Sequence, residues 1–440
     1  MRTICTALVV TVAAARLAAA DEAPSVRALL TDPAQLATWL ADRDPITESA
    51  RHKIEAAEAT ARQARVYPNP QLNLGTGGYL LGRNTLLDAS GNATPVSLSD
   101  SVNFQLGVSE LVELGKRGPR AAAADLRTSE SGELAVGALG GRVTDATTAL
   151  GKLAYVTAKR DVAAANLAAA QHIRDIEKVR VDKEDLSKLD FGRIDLDTDE
   201  LELTLRRAEA EVAMATAACS ASLMMTCTAA GLDQAVLDAA APLPATELGA
   251  VDQRSSILAG RIEQKALGQD AALAHNRRIP DLTFGIDYMF DNFVASGNLH
   301  QQLIFTLGLP LPLFDRGDHD AAVARANARA LEADERATVR EAHGLVEALH
   351  VQKATLTETL HKLEAEAVPK STQIIAQTQK AFDLGQTRLP DLLLAQRSHR
   401  DLLLEVLETR FDLFTARAQL RQLLGLDDAV ARQAAQKRKP

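Results

Sequence analysis

Aromatic side chains make up only 3% of the 440 residues, and a single tryptophan is among them. A mixed globular core normally uses more rings, so the scarcity points to long helices rich in Ala, Leu, Glu and Arg. No run of about eighteen apolar residues occurs, which excludes a membrane-crossing helix. Basic excess is missing too: the net charge is −9, with Lys and Arg interspersed among acids, which argues against nucleic acid as a partner. No Ser-His-Asp, HExxH or CxxC arrangement occurs, so no catalytic residue, resident metal or cofactor is expected. The glycine-rich "LGTGGYLLG" lacks the GxGxxG spacing and opens no helix, so it is no phosphate cradle. Gly75, Gly77 and Gly78 suit close packing or bending of a strand instead.

What is present begins with "MRTICTALVVTVAAARLAAADEAP". The basic Arg2, the apolar run from Ile4 to Ala15 and the small residues before Asp21 predict a secretory signal peptide over 1–20, cleaved after Ala20. An N-terminal segment over 21–45 follows. Export without a helical anchor leaves the periplasm, the exterior or an outer-membrane β-barrel. Cysteine is scarce, with three residues in all, and Cys5 falls within the signal peptide. On one continuous helix Cys219 and Cys227 would stand about 12 Å apart along the axis and could not bridge. A disulfide requires the helix to end between them.

The chain then reads as a tandem repeat. "PQLNLGTGGY" (70–79) answers "PDLTFGIDYM" (280–289), and "FQLGVSELVELGKRG" (104–118) answers "FTLGLPLPLFDRG" (305–317). "FGRIDLDTDEL" (191–201) pairs with "LGQTRLPDLLL" (384–394), and a shared Gly-Leu-Asp aligns "MMTCTAAGLDQAV" with "RQLLGLDDAV". The first repeat is placed at 46–236 and the second at 250–428, with a linker over 237–249 and a tail over 429–440. Each repeat opens with a helix, about 46–66 or 250–278, and continues into a β-hairpin. The hairpin strands are expected near 70–82 with 101–111, and 281–290 with 301–312. Their apolar residues alternate with small or polar ones, as in Leu282, Phe284 and Ile286 against Thr283, Gly285 and Asp287. Very long helices are expected at about 119–185 and 318–382, reaching roughly 100 Å, and returning helices run to about 230 and 425. The fold class is therefore mainly α with a small β part. Four strands cannot close a barrel, and open sheet edges are not tolerated in lipid. The hairpins call for oligomerisation.

Four segments together resemble the TolC-like outer-membrane efflux family: "ARVYPNPQL", the "ELGKRG" corner, its echo "LPLPLFDRG", and "FDLGQTRLPDLLLAQR". The likeness covers about 46–426, and the "ELGKRGPR" corner is most similar to the heavy-metal (cobalt–zinc–cadmium type) branch. The resemblance implies a homotrimer in outer-membrane lipid, with a twelve-stranded barrel continuing into a periplasmic coiled-coil tunnel. It implies docking on a periplasmic adaptor (a membrane fusion protein) and an inner-membrane pump of the resistance–nodulation–division type. It implies passive conduction, of heavy-metal cations or alternatively of organic drugs and other small molecules. A periplasmic coiled-coil adaptor or structural protein is the further alternative; it would need long helices without lipid-facing hairpins.

Two groups of candidate residues follow. At the periplasmic tip, gating or docking is assigned to Gly192, Asp195, Asp197 and Asp199 in one repeat, and to Gly385, Arg388 and Asp391 in the other. The acids there, with Asp190 and Glu200, read either as rings favouring cations or as helix caps. The barrel-to-tunnel corner comprises Gly115, Lys116, Arg117, Gly118 and Pro119, echoed by Pro310, Pro312, Arg316 and Gly317. Gly115 and Gly118 suit the turn, Pro119 the first helical position, and Pro310 and Pro312 a bend in the strand. His343, Glu347, His350 and His361 share a helix face, but only His343 and Glu347 are spaced to touch one ion. An exposed polar face accounts for them more simply. Met and Cys in "CSASLMMTC" pack near a helix end more simply than they bind copper.

Overall fold

The computed structural model describes residues 24–77, 85–87, 90–95, 102–244, 251–291 and 300–437. The expected signal peptide, Gly78, residues 245–249 of the linker and much of both hairpin loops lie outside the described residues. No helix among the described residues is long and apolar enough to cross a membrane. Two compact units are present, and each draws on both halves of the chain. One comprises residues up to Ser49, 135–255 and from 339 onward; the other comprises 50–134 and 256–338.

The first unit is helical. Short helices α1 (Val26–Thr31) and α2 (Pro33–Arg43) are capped by Ser25 and Asp32, whose side chains accept backbone N–H groups of the first turns. Helix α3 (Pro45–Ala64) follows at once. Helix α4 (Arg117–Asp182) is 66 residues long, about 100 Å, and its part beyond residue 134 belongs to this unit with α5 (Lys188–Leu223) and α6 (Gln234–Ala239). Its core joins Leu36 and Leu40 of α2 to Val143, Leu150 and Leu153 of α4, Leu223 of α5 and Leu237 of α6. Alanines at 146, 154, 158 and 215 let the helix axes approach closely.

Helix α5 ends at Leu223 because Met224 takes left-handed angles (φ 53°). The chain thereby doubles back, and Cys219 and Cys227 form a disulfide with their Cα atoms 6.0 Å apart. The required stop between the two cysteines exists, and it carries neither Gly nor Pro to announce it. Trp39 Nε1 donates to the Leu223 carbonyl at 2.8 Å, tying α2 to this reversal.

The second long segment differs from a plain helix. Helix α8 (Asp318–Lys362) passes into a π-helical turn, Leu363–Ala367, before α9 (Val368–Asp383). Pro369 lacks an N–H and its ring crowds the preceding turn, so the ladder widens and Val368 N–H reaches Leu363 O, five residues back. Helix α10 (Leu389–Leu423) returns, and α11 (Leu426–Gln436) starts at Gly425 (φ 67°). Tyr155 of α4 stacks on Phe411 of α10 at 4.6 Å, and Phe411 on Phe414 at 6.0 Å. Gly151 lies under Phe414, where a Cβ would come within 2.1 Å of the ring. Buried Asp427 pairs with Arg421 (2.7 Å) and accepts from Thr144 (2.9 Å). Asp428 caps the Ser255 N–H at 2.7 Å, where α7 (Ser255–His275) begins.

The second unit holds the sheet. Strands β1 (Gln71–Gly77), β4 (Asn103–Val112), β5 (Leu282–Asp291) and β6 (Gln301–Gly308) pair antiparallel in that order. Both hairpins thus join into one sheet through β4 and β5, with Val108 opposite Ile286 and Leu106 opposite Tyr288. A small separate pair, β2 (Thr85–Leu87) with β3 (Ala93–Pro95), lies in the first loop, which the sequence pattern presents only as turn-rich. Strand β6 stops at Gly308, short of the expected 312. Pro310 and Pro312 follow it in irregular backbone; with no N–H to donate they cannot extend the ladder.

Candidate membrane face, corners and helical turns

The pleat sorts the sheet into two unlike faces. Leu72, Leu74, Phe104, Leu106, Val108, Phe284, Ile286, Tyr288, Leu303, Phe305 and Leu307 stand in register across all four strands. All are exposed, with Leu74 at 74% and Phe305 at 72%, so no described part of the chain covers this face. Soluble monomers rarely show a continuous apolar patch of this kind. The opposite face carries Asn73, Gln105, Ser109, Asp287, Gln302 and Thr306 among Gly75, Gly107 and Gly285, with Leu111, Met289 and Ile304 as its apolar members.

Below the sheet, the first corner is held by polar contacts. Gly115 has φ +71°, and its carbonyl accepts from Asn276 Nδ2 at 2.6 Å. Asp281 takes both the Leu114 N–H (3.1 Å) and the Lys116 ammonium (2.7 Å). Arg117 stacks over the Tyr67 ring at 3.9 Å, and Arg120 forks onto Glu113 at 2.6 and 2.7 Å. That bidentate hydrogen bond with Glu113 raises the Arg120 pKa above its ordinary value. Two expectations are corrected here. Helix α4 already begins at Arg117, so Pro119 sits inside its first turn and not at the first position. Gly118 is helical, leaving the left-handed angle to Gly115 alone.

At the echo, Gly317 has φ +76°, and a Cβ there would strike the Ala274 carbonyl oxygen, so glycine is required. Asp315 accepts the Gly317 N–H at 2.8 Å. Arg277 pairs with Asp320 and Arg278 with Asp318, in the first turn of α8 where acids also suit the helix dipole. Arg316 adds its charge to those drawing the Asp318 pKa down, behind the hydrogen bond from Arg278.

A cavity of about 720 Å³ beside the first corner is lined by Tyr67, Glu113, Arg120, Arg127 and Asp270 among smaller residues. Arg127 bridges Asp270 (2.5 Å) and Glu263 (3.2 Å). Glu130, near Glu263, has its pKa raised to about 7, first by burial and then by the Glu263 charge. No local motif marks this cluster, because its acids are spread over two helices that only the fold brings together.

The helical turns show the largest departure. The turn between α4 and α5 occupies 183–187, and Gly192 lies within α5. Glu184, not Gly192, matches Gly385: their φ values are 64° and 70°. The hydrogen bonds agree, Asp185 N–H to Arg180 O at 2.9 Å and Gln386 N–H to Ala381 O at 2.8 Å, the closure of a Schellman motif. Ser187 caps α5 through the Asp190 N–H at 3.0 Å. Asp391 accepts from Thr387 Oγ1 (3.0 Å) and the Arg388 N–H (3.4 Å) at the start of α10.

Behind the turns, Ile194, Phe382, Leu389 and Leu392 form a small apolar cluster. Asp197 is clasped by Arg400 at 3.1 and 3.2 Å. Glu200 faces Arg397 at 3.6 Å, Asp195 lies 4.0 Å from Arg174, and Asp199 is exposed. Asp195, Asp197 and Glu200 thus meet arginines of their own chain. His343 and Glu347 are exposed on α8, and among the described residues no three His, Cys, Asp or Glu side chains gather as a metal site.

The family described as outer membrane efflux protein matches residues 249–426. The outer membrane protein TolC of Vibrio cholerae is 24% identical over 188 residues, 40% of this chain and 42% of that relative. The aligned part thus spans less than half of the relative's length. Among solved structures, CusC superposes with a TM-score of 0.74 at 15% identity, covering 92% of this chain and 95% of its own. The outer membrane protein VceC from Vibrio cholerae gives 0.70 at 18%, covering 89% and 95%. These likenesses establish the fold as that of TolC-like outer-membrane channels.

Proposed function

Residues 249–426 form an outer membrane efflux protein domain, and from that premise we propose that the whole chain is one subunit of an outer-membrane efflux channel. The carrying observation is the four-stranded sheet, with an uncovered apolar face and two edges, β1 and β6, unpaired among the described strands. Open edges in lipid would leave backbone groups unsatisfied at several kcal/mol each. Pairing β6 of one copy with β1 of the next satisfies both, and three copies give a closed twelve-stranded barrel. The disulfide suits the oxidising periplasm.

The channel conducts passively and catalyses no reaction. An inner-membrane pump of the resistance–nodulation–division type supplies the energy, and a periplasmic adaptor joins the two. Glu184, Gly385, Arg388 and Asp391 belong to the end that meets the adaptor, where the hairpins part to open. Heavy-metal cations are the cargo we favour, on the resemblance carried by "ELGKRGPR". Membrane fractionation with mass measurement in detergent tests the assembly: a membrane-bound trimer is expected, and release as a soluble monomer refutes it. Growth of a deletion strain on Zn, Co, Cd, Cu and organic toxicants tests the cargo. Sensitivity to the organic compounds alone overturns the metal assignment.

A further inference from the structure

Asp287 stands at mid-strand in β5, on the polar face of the sheet, and is 7% exposed. Its cross-strand partner on β4 is Gly107. A Cβ at position 107 would lie 1.7 Å from Asp287 Oδ1 and 2.6 Å from its Cγ. A Cβ at Gly285 would lie 3.7 Å from Oδ2. The carboxylate therefore lies flat in the notch that glycine leaves, recessed into the wall of the sheet. Strands β1, β4, β5 and β6 contain no Lys or Arg, and among the described residues Asp287 has no hydrogen-bonding or ionic partner. Its oxygens are not among the buried polar atoms left without a partner, so the recessed carboxylate keeps contact with solvent, and water or mobile ions compensate its charge.

We propose that Asp287 sets the charge preference of the pore, favouring cations within the barrel itself. The inference rests on the reading of the sheet as one third of a closed barrel. In that barrel the apolar face meets lipid and the polar face lines the bore. Three copies place three carboxylates at one level in a low-dielectric wall, where uncompensated charge attracts mobile counter-ions. Because Gly107 lets the side chain recline, the charge is present without narrowing the passage. The effect is felt across the bore only when the screening length is long. That length is about 30 Å at 0.01 M salt and about 8 Å at 0.15 M.

The test is reversal-potential measurement on the purified full-length protein in planar lipid bilayers across a KCl gradient, at low and at high mean salt. The wild-type pore is expected to prefer K⁺ over Cl⁻ at low salt and to lose that preference as salt rises. Asp287→Asn should lower the K⁺/Cl⁻ permeability ratio at low salt by roughly twofold or more, and Asp287→Ser serves if the Asn protein does not assemble. Gly107→Ala should lift the carboxylate into the bore, reducing conductance while keeping the cation preference. Membrane-inserted protein that gives no conductance at all refutes the channel reading. A conducting wild type without cation preference at low salt, or an uncharged variant as selective as wild type, overturns the role of Asp287 and leaves the channel standing.

Discussion

Replacing Gly151 by alanine sets two opposed effects against each other on one helix. Alanine is the better helix former by about 0.8–1 kcal/mol. At 151, however, the new Cβ would lie 2.1 and 2.2 Å from Cε1 and Cζ of Phe414, where carbon atoms normally keep about 3.5–4.0 Å. Phe414 is fully buried and stacks against Phe411, so the ring has no free direction of retreat. Overpacking of this kind costs about 1–3 kcal/mol, which outweighs the helical gain at most of that range. Gly192 is the internal control: it lies within α5, is exposed and would meet nothing within 4 Å. Gly192→Ala should therefore raise the melting temperature, read by far-ultraviolet circular dichroism in detergent, while Gly151→Ala lowers it. A smaller side chain at 414 relieves the clash, so Gly151→Ala combined with Phe414→Leu should be less damaging than the sum of the two by about 1 kcal/mol or more. Equal stabilisation by both glycine replacements, or strict additivity with Phe414→Leu, would refute the packing of α4 on α10.

Two further outcomes are expected. The Glu130 pKa is raised to about 7 by burial and by Glu263, so the folded chain holds a proton that the unfolded chain releases near the ordinary carboxylate value of about 4.3. Stability is then fullest below that value and falls as pH rises to about 7, by about 1 kcal/mol once solvent screening is allowed for. Glu130→Gln should flatten melting temperature against pH across this window, and an unchanged slope would count against the Glu130–Glu263 pair. At the turns, Glu184→Gly should stabilise and Gly385→Ala destabilise, each by about 1 kcal/mol; thermal melts giving the same sign for both would contradict the matched left-handed positions.

The sheet and its corners were legible because their signals are local. Alternation over two residues marks the strands, and Gly115 and Gly317 mark the corners where the angles demand glycine. The pairing of Gly192 with Gly385 misled because Glu184 holds a conformation that glycine usually announces, while Gly192 sits nearby in a helix that does not need it. The disulfide depended on where α5 stops, and Met224 gives no textual sign of a stop. Pro369 was visible, but its effect, a π turn within a continuing helix and not a break, depends on how the neighbouring helices hold the segment. Gly107 and Asp287 lie far apart in sequence, and only strand register makes them neighbours.

The disulfide has a consequence for biogenesis. Cys219 and Cys227 are 0% and 2% exposed in the finished fold, inside the core shared by α2, α4 and α6. An oxidant, or an enzyme delivering one, has no access to these sulfurs once that core has closed. The bond must form while α2, with Trp39, is still undocked. Oxidation therefore precedes closure of the core, and the reversal after α5 is fixed before the N-terminal helices settle over it.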